Sequence, residues 1–142
     1  TEGWDKIITE AAEQAFSNNG DKILYIGTAD TSVDKVNHKK YSSFPIITKQ
    51  AKEALGYFVP ENFVGLGADV YLYRVFDKLN RVLSIEDIVL DHVFHTTVEK
   101  VMNPDLTCLE MRSRTYSNPI DPWSIDIEED VSKVNEKTFS SL

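Results

Sequence analysis

The sequence predicts an α/β fold, a small mixed sheet flanked by helices. Two observations predict it. Apolar residues recur at helical spacing in separate stretches, and short runs of β-branched and aromatic residues stand between and after them. Composition permits such a fold, because 42% of the 142 residues are hydrophobic and 27% charged. That is ordinary globular usage, sufficient for a real core in one domain.

The elements follow in chain order. Trp4, Ile7, Ile8, Ala11, Ala15 and Phe16 mark one face of an amphipathic helix. Ser17, Asn18, Asn19 and Gly20 end it with the residues that helix C-termini favour. KILYIG at 22–27 has the content of a buried strand, and the polar residues 28–43 read as a loop. Phe44, Pro45, Ile46 and Ile47 form a second short run, which the proline restricts to an edge or a strand start. Thr48 is placed to cap a helix over 49–55 that Gly56 would stop. Residues 57–67 read as a loop rich in glycine and aromatics. A second amphipathic helix spans 68–80, with Leu72, Val75, Phe76 and Leu79 on one face. Two strands are expected at 81–85 and 88–94, separated by Glu86 and Asp87. After Met102 prolines, serines and acids dominate, with one helix expected around 125–139. The expected division is an α/β domain over 1–102 and an acidic extension containing Pro and Ser over 103–142.

Charge and residue usage exclude several functions. With 23 Asp and Glu against 15 Lys and Arg, the formal charge is −8, which repels nucleic acid and anionic membranes. The lone cysteine, Cys108, excludes an internal disulfide framework and a Cys-rich zinc site, and fits a reducing, cytoplasmic setting. No apolar run is long enough to cross a membrane, and no secretory leader is visible. Walker, GxGxxG, GxSxG and HExxH patterns are absent.

Three segments carry candidate chemistry. Asp30 follows the strand run, where open α/β sheets place ligands, and it suits a divalent ion that bridges phosphates. The same position also suits a turn or cap. Asp69 follows two glycines and sits in the first turn of the 68–80 helix. There an acid either complements the helix dipole or serves as a general base towards a hydroxyl. His92 and His95 lie near the end of the last expected strand, where alternation puts them on opposite faces unless the chain bends. Imidazole and carboxylate together suit Mn²⁺ better than Ca²⁺, so either histidine could join Asp30 around a metal, or simply be hydrogen-bonded in the structure. Lys35, His38, Lys39 and Lys40 form the local positive cluster, either a solvated loop or a guide for a polyphosphate. The acidic run 126–130 reads as the solvated start of a helix.

The order of these segments carries more than each alone. After the strand and Asp30 comes a loop with His38, then FPIITKQAKEALGYFVPENFVGLGADVYLYRVF at 44–76 and NRVLSIEDIVLDHVFH at 80–95. This resembles the acceptor-side half of a GT-A glycosyltransferase domain of the family 2 type. The resemblance covers 4–95 and is best over 44–74. It implies transfer of a sugar from a nucleotide-diphosphate sugar to a hydroxyl acceptor, assisted by Mn²⁺ or Mg²⁺. It places Asp30 at the last acid of the family's DxD motif and Asp69 at the catalytic base. His92, with His95 second, takes the place of the late histidine that helps to hold metal or diphosphate. Asp30 and Lys39 are the candidates for binding the cofactor. Thr28 occupies the position of the first DxD acid. The family's nucleotide-holding half would precede Thr1, so a fragment or a shortened form is expected. The alternatives are a non-catalytic binding or self-association module, for which homo-oligomers are expected, and a small metal-dependent hydrolase.

Overall fold

The structure, a computed structural model, describes residues 3–30, 42–61, 63, 67–90 and 121–140. Helix α1 (Trp4–Phe16) starts on Gly3, whose φ of 75° places it in the left-handed region. Its predicted apolar face is present: Ile7, Ile8, Ala11, Ala12, Ala15 and Phe16 pack on the sheet. Trp4 departs from that face and is 52% exposed.

Strand β1 (Tyr25–Asp30) is central in a three-stranded sheet of order β2-β1-β3. It begins and ends three residues later than its apolar run suggests, because pairing depends on partners elsewhere in the chain. Leu24 exchanges hydrogen bonds with Thr48: the Leu24 N–H donates to Thr48 Oγ1 at 3.1 Å, and the Thr48 N–H to the Leu24 carbonyl at 3.0 Å. Thr28, Ala29 and Asp30 find Ile85, Val89 and Leu90 on the neighbouring strand. Strand β2 (Ile46–Ile47) pairs antiparallel on one edge, directly after Pro45.

Helix α2 (Lys49–Leu55) has the predicted ends. Thr48 Oγ1 accepts from the Ala51 N–H, and Gly56 closes the helix at φ 88°. Helix α3 (Ala68–Lys78) follows, and then β3 (Val82–Leu90), parallel to β1. The two strands expected at 81–94 are one strand as far as Leu90, and 91–94 lie outside the described residues. Its register against β1 jumps from Thr28–Ile85 to Ala29–Val89. The bulge turns Glu86 and Asp87 outward and lets Ile85 and Ile88, three residues apart, both reach the α1 face. Helix α4 (Glu128–Ser140) occupies the predicted place.

Alternation along β1 splits the core into two layers. Leu24 and Ile26 meet α1, while Ile23 and Tyr25 meet the helices on the opposite face. On that face Leu72, Val75 and Phe76 of α3 are buried with Ala51, Ala54 and Leu55 of α2. Ile127 and Val134 join the same cluster, so α4 contributes to the main core. Each fully buried Leu, Val or Phe side chain there contributes about 1.5–3 kcal/mol. Arg81 grips Asp21 with two bonds of 2.7 Å and also donates to Asn19 at 2.9 Å, tying the start of β3 to the turn before β1. Among the described residues no helix is long and apolar enough to cross a membrane.

Candidate functional site

Helix α3 opens on a glycine that no other residue replaces without strain. Gly67 has φ 97°, and a Cβ there would stand 3.0 Å from Pro122 Cβ and 3.1 Å from the Phe63 ring. Close approach therefore brings the 121–125 turn against the start of α3. Asp69 lies in the first helical turn, half-buried, with its Oδ1 accepting from the Val70 N–H at 2.9 Å. The predicted position of Asp69 is thus the observed one, at a helix start where negative charge is favourable.

Arg74, further along α3, fixes the 121–125 turn. Its Nη1 donates to the Pro122 carbonyl at 2.6 Å and to the Ile125 carbonyl at 2.8 Å. Inside the turn, the Trp123 N–H donates to Asp121 Oδ1 at 3.0 Å, and Ser124 Oγ donates to the Asp121 carbonyl at 3.1 Å. The result is an indole, 43% exposed, on a braced turn beside the opening of α3.

A second polar group lies on the same side of the sheet. Asp130 of α4 is 6% exposed and accepts hydrogen bonds from the hydroxyls of Tyr57 and Tyr71, the latter at 2.6 Å. Lys133 Nζ donates to its other oxygen at 3.1 Å. Burial pushes the Asp130 carboxyl up, but the bonds from Tyr57, Tyr71 and Lys133 outweigh it and hold the carboxyl below its ordinary value. Tyr71 is pushed up to about 12 by burial and by its bond to the carboxylate. Tyr57 is raised for the same two reasons. The acidic run at 126–130 is therefore not uniformly solvated. Its last member is an internal acceptor that joins α4 to α3 and to the loop after α2.

Across the sheet, Trp4, Ile8, Phe44, Ile46, Ile88 and Leu90 border an apolar recess of about 430 Å³. Thr28 also lines it, at 3% exposure, with Oγ1 3.4 Å from Ser42 Oγ. Thr28 is thus internal and paired with a hydroxyl.

The other predicted site residues stand as follows. Asp30 is the last residue of β1, paired with Leu90, and its side chain lies outside what is described. Lys39, His92 and His95 also lie outside the described residues. Among the described residues no group of three or more His, Cys, Asp or Glu side chains is placed to hold a metal ion.

Sequence reasoning missed Arg74, Trp123 and the Tyr57–Tyr71–Asp130 group as parts of one arrangement. One signal was available for Asp130. Ile127, Asp130, Val131 and Val134 share helical spacing, which places a carboxylate on the apolar stripe of α4. No protein-family model, curated protein or solved structure matches the chain.

Proposed function

We propose that the chain is the acceptor-side part of a GT-A glycosyltransferase domain of the family 2 type. The observation that carries this reading is Asp69, a half-buried acid in the first turn of a helix whose start is braced by Gly67, Pro122 and Arg74. An acid held at a fixed helix start is what a general base towards a hydroxyl requires. The parallel β1–β3 pair that ends at Asp30 supports the same reading, because ligands of open α/β sheets sit beyond strand C-termini. In the proposed step the acceptor oxygen forms a bond to the anomeric carbon of the donor sugar. The bond from that carbon to the diphosphate oxygen breaks, and its electron pair leaves with the nucleotide diphosphate. The hydroxyl proton passes to the Asp69 carboxylate.

Calorimetry with Mn²⁺ and a panel of nucleotide diphosphates, on this chain and on Asp30→Ala, tests the donor side. Heat that disappears in the variant supports the reading. Heat unchanged by the substitution removes Asp30 from the site, and no heat with any pair removes the donor from this chain.

A second reading is favoured by the apolar recess and by its exposed neighbours Trp4 and Phe44. On that reading the chain is a binding or self-association module without catalysis. Sedimentation over a wide concentration range decides it: a monomer throughout counts against self-association through this face.

A further inference from the structure

We propose that Asn19 is a modification site, where the side-chain amide is lost without an enzyme through a cyclic imide closed on Gly20. The site lies in the turn between α1 and β1 and is independent of the Asp69 reading. Asparagine is among the heat-labile residues, and Asn19-Gly20 is the one Asn-Gly pair in the sequence. Ring closure brings the backbone nitrogen of the next residue onto the amide carbon, and a side chain on that residue stands in the way. Gly20 has none. It is exposed, and even a Cβ built there would meet nothing within 4 Å. Among the described residues nothing accepts from the Gly20 N–H. Arg81 Nη1 donates to Asn19 Oδ1 at 2.9 Å, so a cation already stands on the oxygen that becomes negative when the nitrogen adds.

In the first step the Gly20 nitrogen gives its proton to hydroxide and forms a bond to Asn19 Cγ. The bond from Cγ to Nδ2 then breaks, and that nitrogen leaves as ammonia with a proton from water. Water opens the imide at either carbonyl, giving aspartate or, with the chain rerouted through Cβ and Cγ, isoaspartate. Either product is disfavoured by its surroundings. Asn19 Nδ2 donates to the Ala15 carbonyl at 3.2 Å, just past the C-terminal end of α1. A carboxylate there sets acceptor against acceptor, at the negative end of a helix with no basic residue in its last turn. It also stands beside Asp21, which already holds Arg81 through two bonds of 2.7 Å. Isoaspartate further lengthens the backbone inside the turn that the Lys22 N–H closes on the Asn19 carbonyl at 2.9 Å. Conversion therefore loosens the tie between the turn before β1 and the start of β3.

The test keeps the whole folded chain warm in mildly alkaline buffer. Samples are mapped by mass spectrometry and assayed with a methyltransferase that acts on the isoaspartyl carboxylate. Fragmentation is expected to place a gain of one mass unit at Asn19 ahead of Asn18, Asn80 and Asn135, with isoaspartate rising in step. Gly20→Val, which the open space admits, slows the gain by roughly an order of magnitude, because a β-branched side chain then blocks the approach. Asn19→Asp reproduces the aspartyl product and is expected to melt a few degrees below the unaltered chain. That gap narrows as pH falls and the new carboxyl is protonated. Faster conversion at another asparagine overturns the proposal, and so does an unchanged rate in Gly20→Val. Conversion confined to the urea-unfolded chain overturns it too, since the folded turn then holds the amide away from Gly20. Equal melting of Asn19→Asp at neutral pH overturns the expected loosening.

Discussion

Replacing Asp130 by alanine removes the one carboxylate that two tyrosine hydroxyls share. Tyr57 and Tyr71 both donate to it, and Tyr71 and Asp130 are each less than a tenth exposed. A hydrogen bond to a charged group contributes about 1.5–3 kcal/mol, so the two bonds represent about 3–6 kcal/mol before the cost of burying the carboxylate is subtracted. The variant regains that desolvation cost but leaves the buried Tyr71 hydroxyl with only the Tyr57 hydroxyl beside it. We expect a net loss of about 3–5 kcal/mol. For a chain of this length that is a fall in melting temperature of about 10–17 °C. Urea unfolding followed by far-UV circular dichroism measures it. A double-mutant cycle with Tyr71→Phe separates the pair, with a coupling of about 1 kcal/mol or more expected. A loss below about 1 kcal/mol, or strict additivity with Tyr71→Phe, would refute the argument that this carboxylate joins α4 to α3.

The remaining expectations concern pH, two glycines, one ion pair and one strand position. Because Asp130 is held below its ordinary 3.8, its contribution is intact above that pH and is lost as pH falls through the lower folded value. Tyr71, raised from 10.0 to about 12, contributes fully below pH 10.0 and loses that contribution as pH rises towards 12. A pH series of unfolding midpoints checks both arms, and Asp130→Ala should flatten the acid arm. Gly56→Ala meets open space at φ 88° and should cost about 1 kcal/mol, whereas Gly67→Ala adds a clash with Pro122 and should cost about 2–3 kcal/mol. Gly67→Ala should also alter Trp123 emission in the Trp4→Phe background, and equal costs at the two glycines would contradict this. Arg81→Met strands Asp21, whose side chain is 8% exposed, and should cost about 3 kcal/mol by denaturant melts, with most of it recovered on adding Asp21→Leu. Thr28→Asp places an acid at an internal position and should lower stability by about 2–4 kcal/mol. An unchanged melting temperature would show that this position opens to water.

Local chemistry made several elements legible. A helix capped by Thr48 and closed by Gly56 depends on contacts within one turn of chain, so Thr48 and Gly56 sit where the sequence places them. The apolar spacing of α1 and α3 survives for a related reason, since a face that repeats every turn must be buried against something. Trp4 has the same spacing yet is half exposed, since it is the first residue of the helix and the stripe has no turn before it. β-Structure was harder to bound. The ends of β1 depend on Leu83, Ile85 and Leu90, more than fifty residues away, and a bulge kept Glu86 and Asp87 inside one strand instead of between two.

By itself the sequence determined the α/β class, the helix caps, the absence of a cysteine framework, and the place of Asp69 in the first turn of α3. These are properties of composition and of residues a few positions apart, which neighbouring backbone atoms enforce. Only the tertiary structure decided that Asp130 is internal, that Arg74 and Gly67 fix the turn carrying Trp123, and that Thr28 is internal and paired with Ser42. Each of these joins groups from 14 to 73 residues apart. Contacts at that range follow from how layers pack, and spacing along the chain carries almost no trace of them.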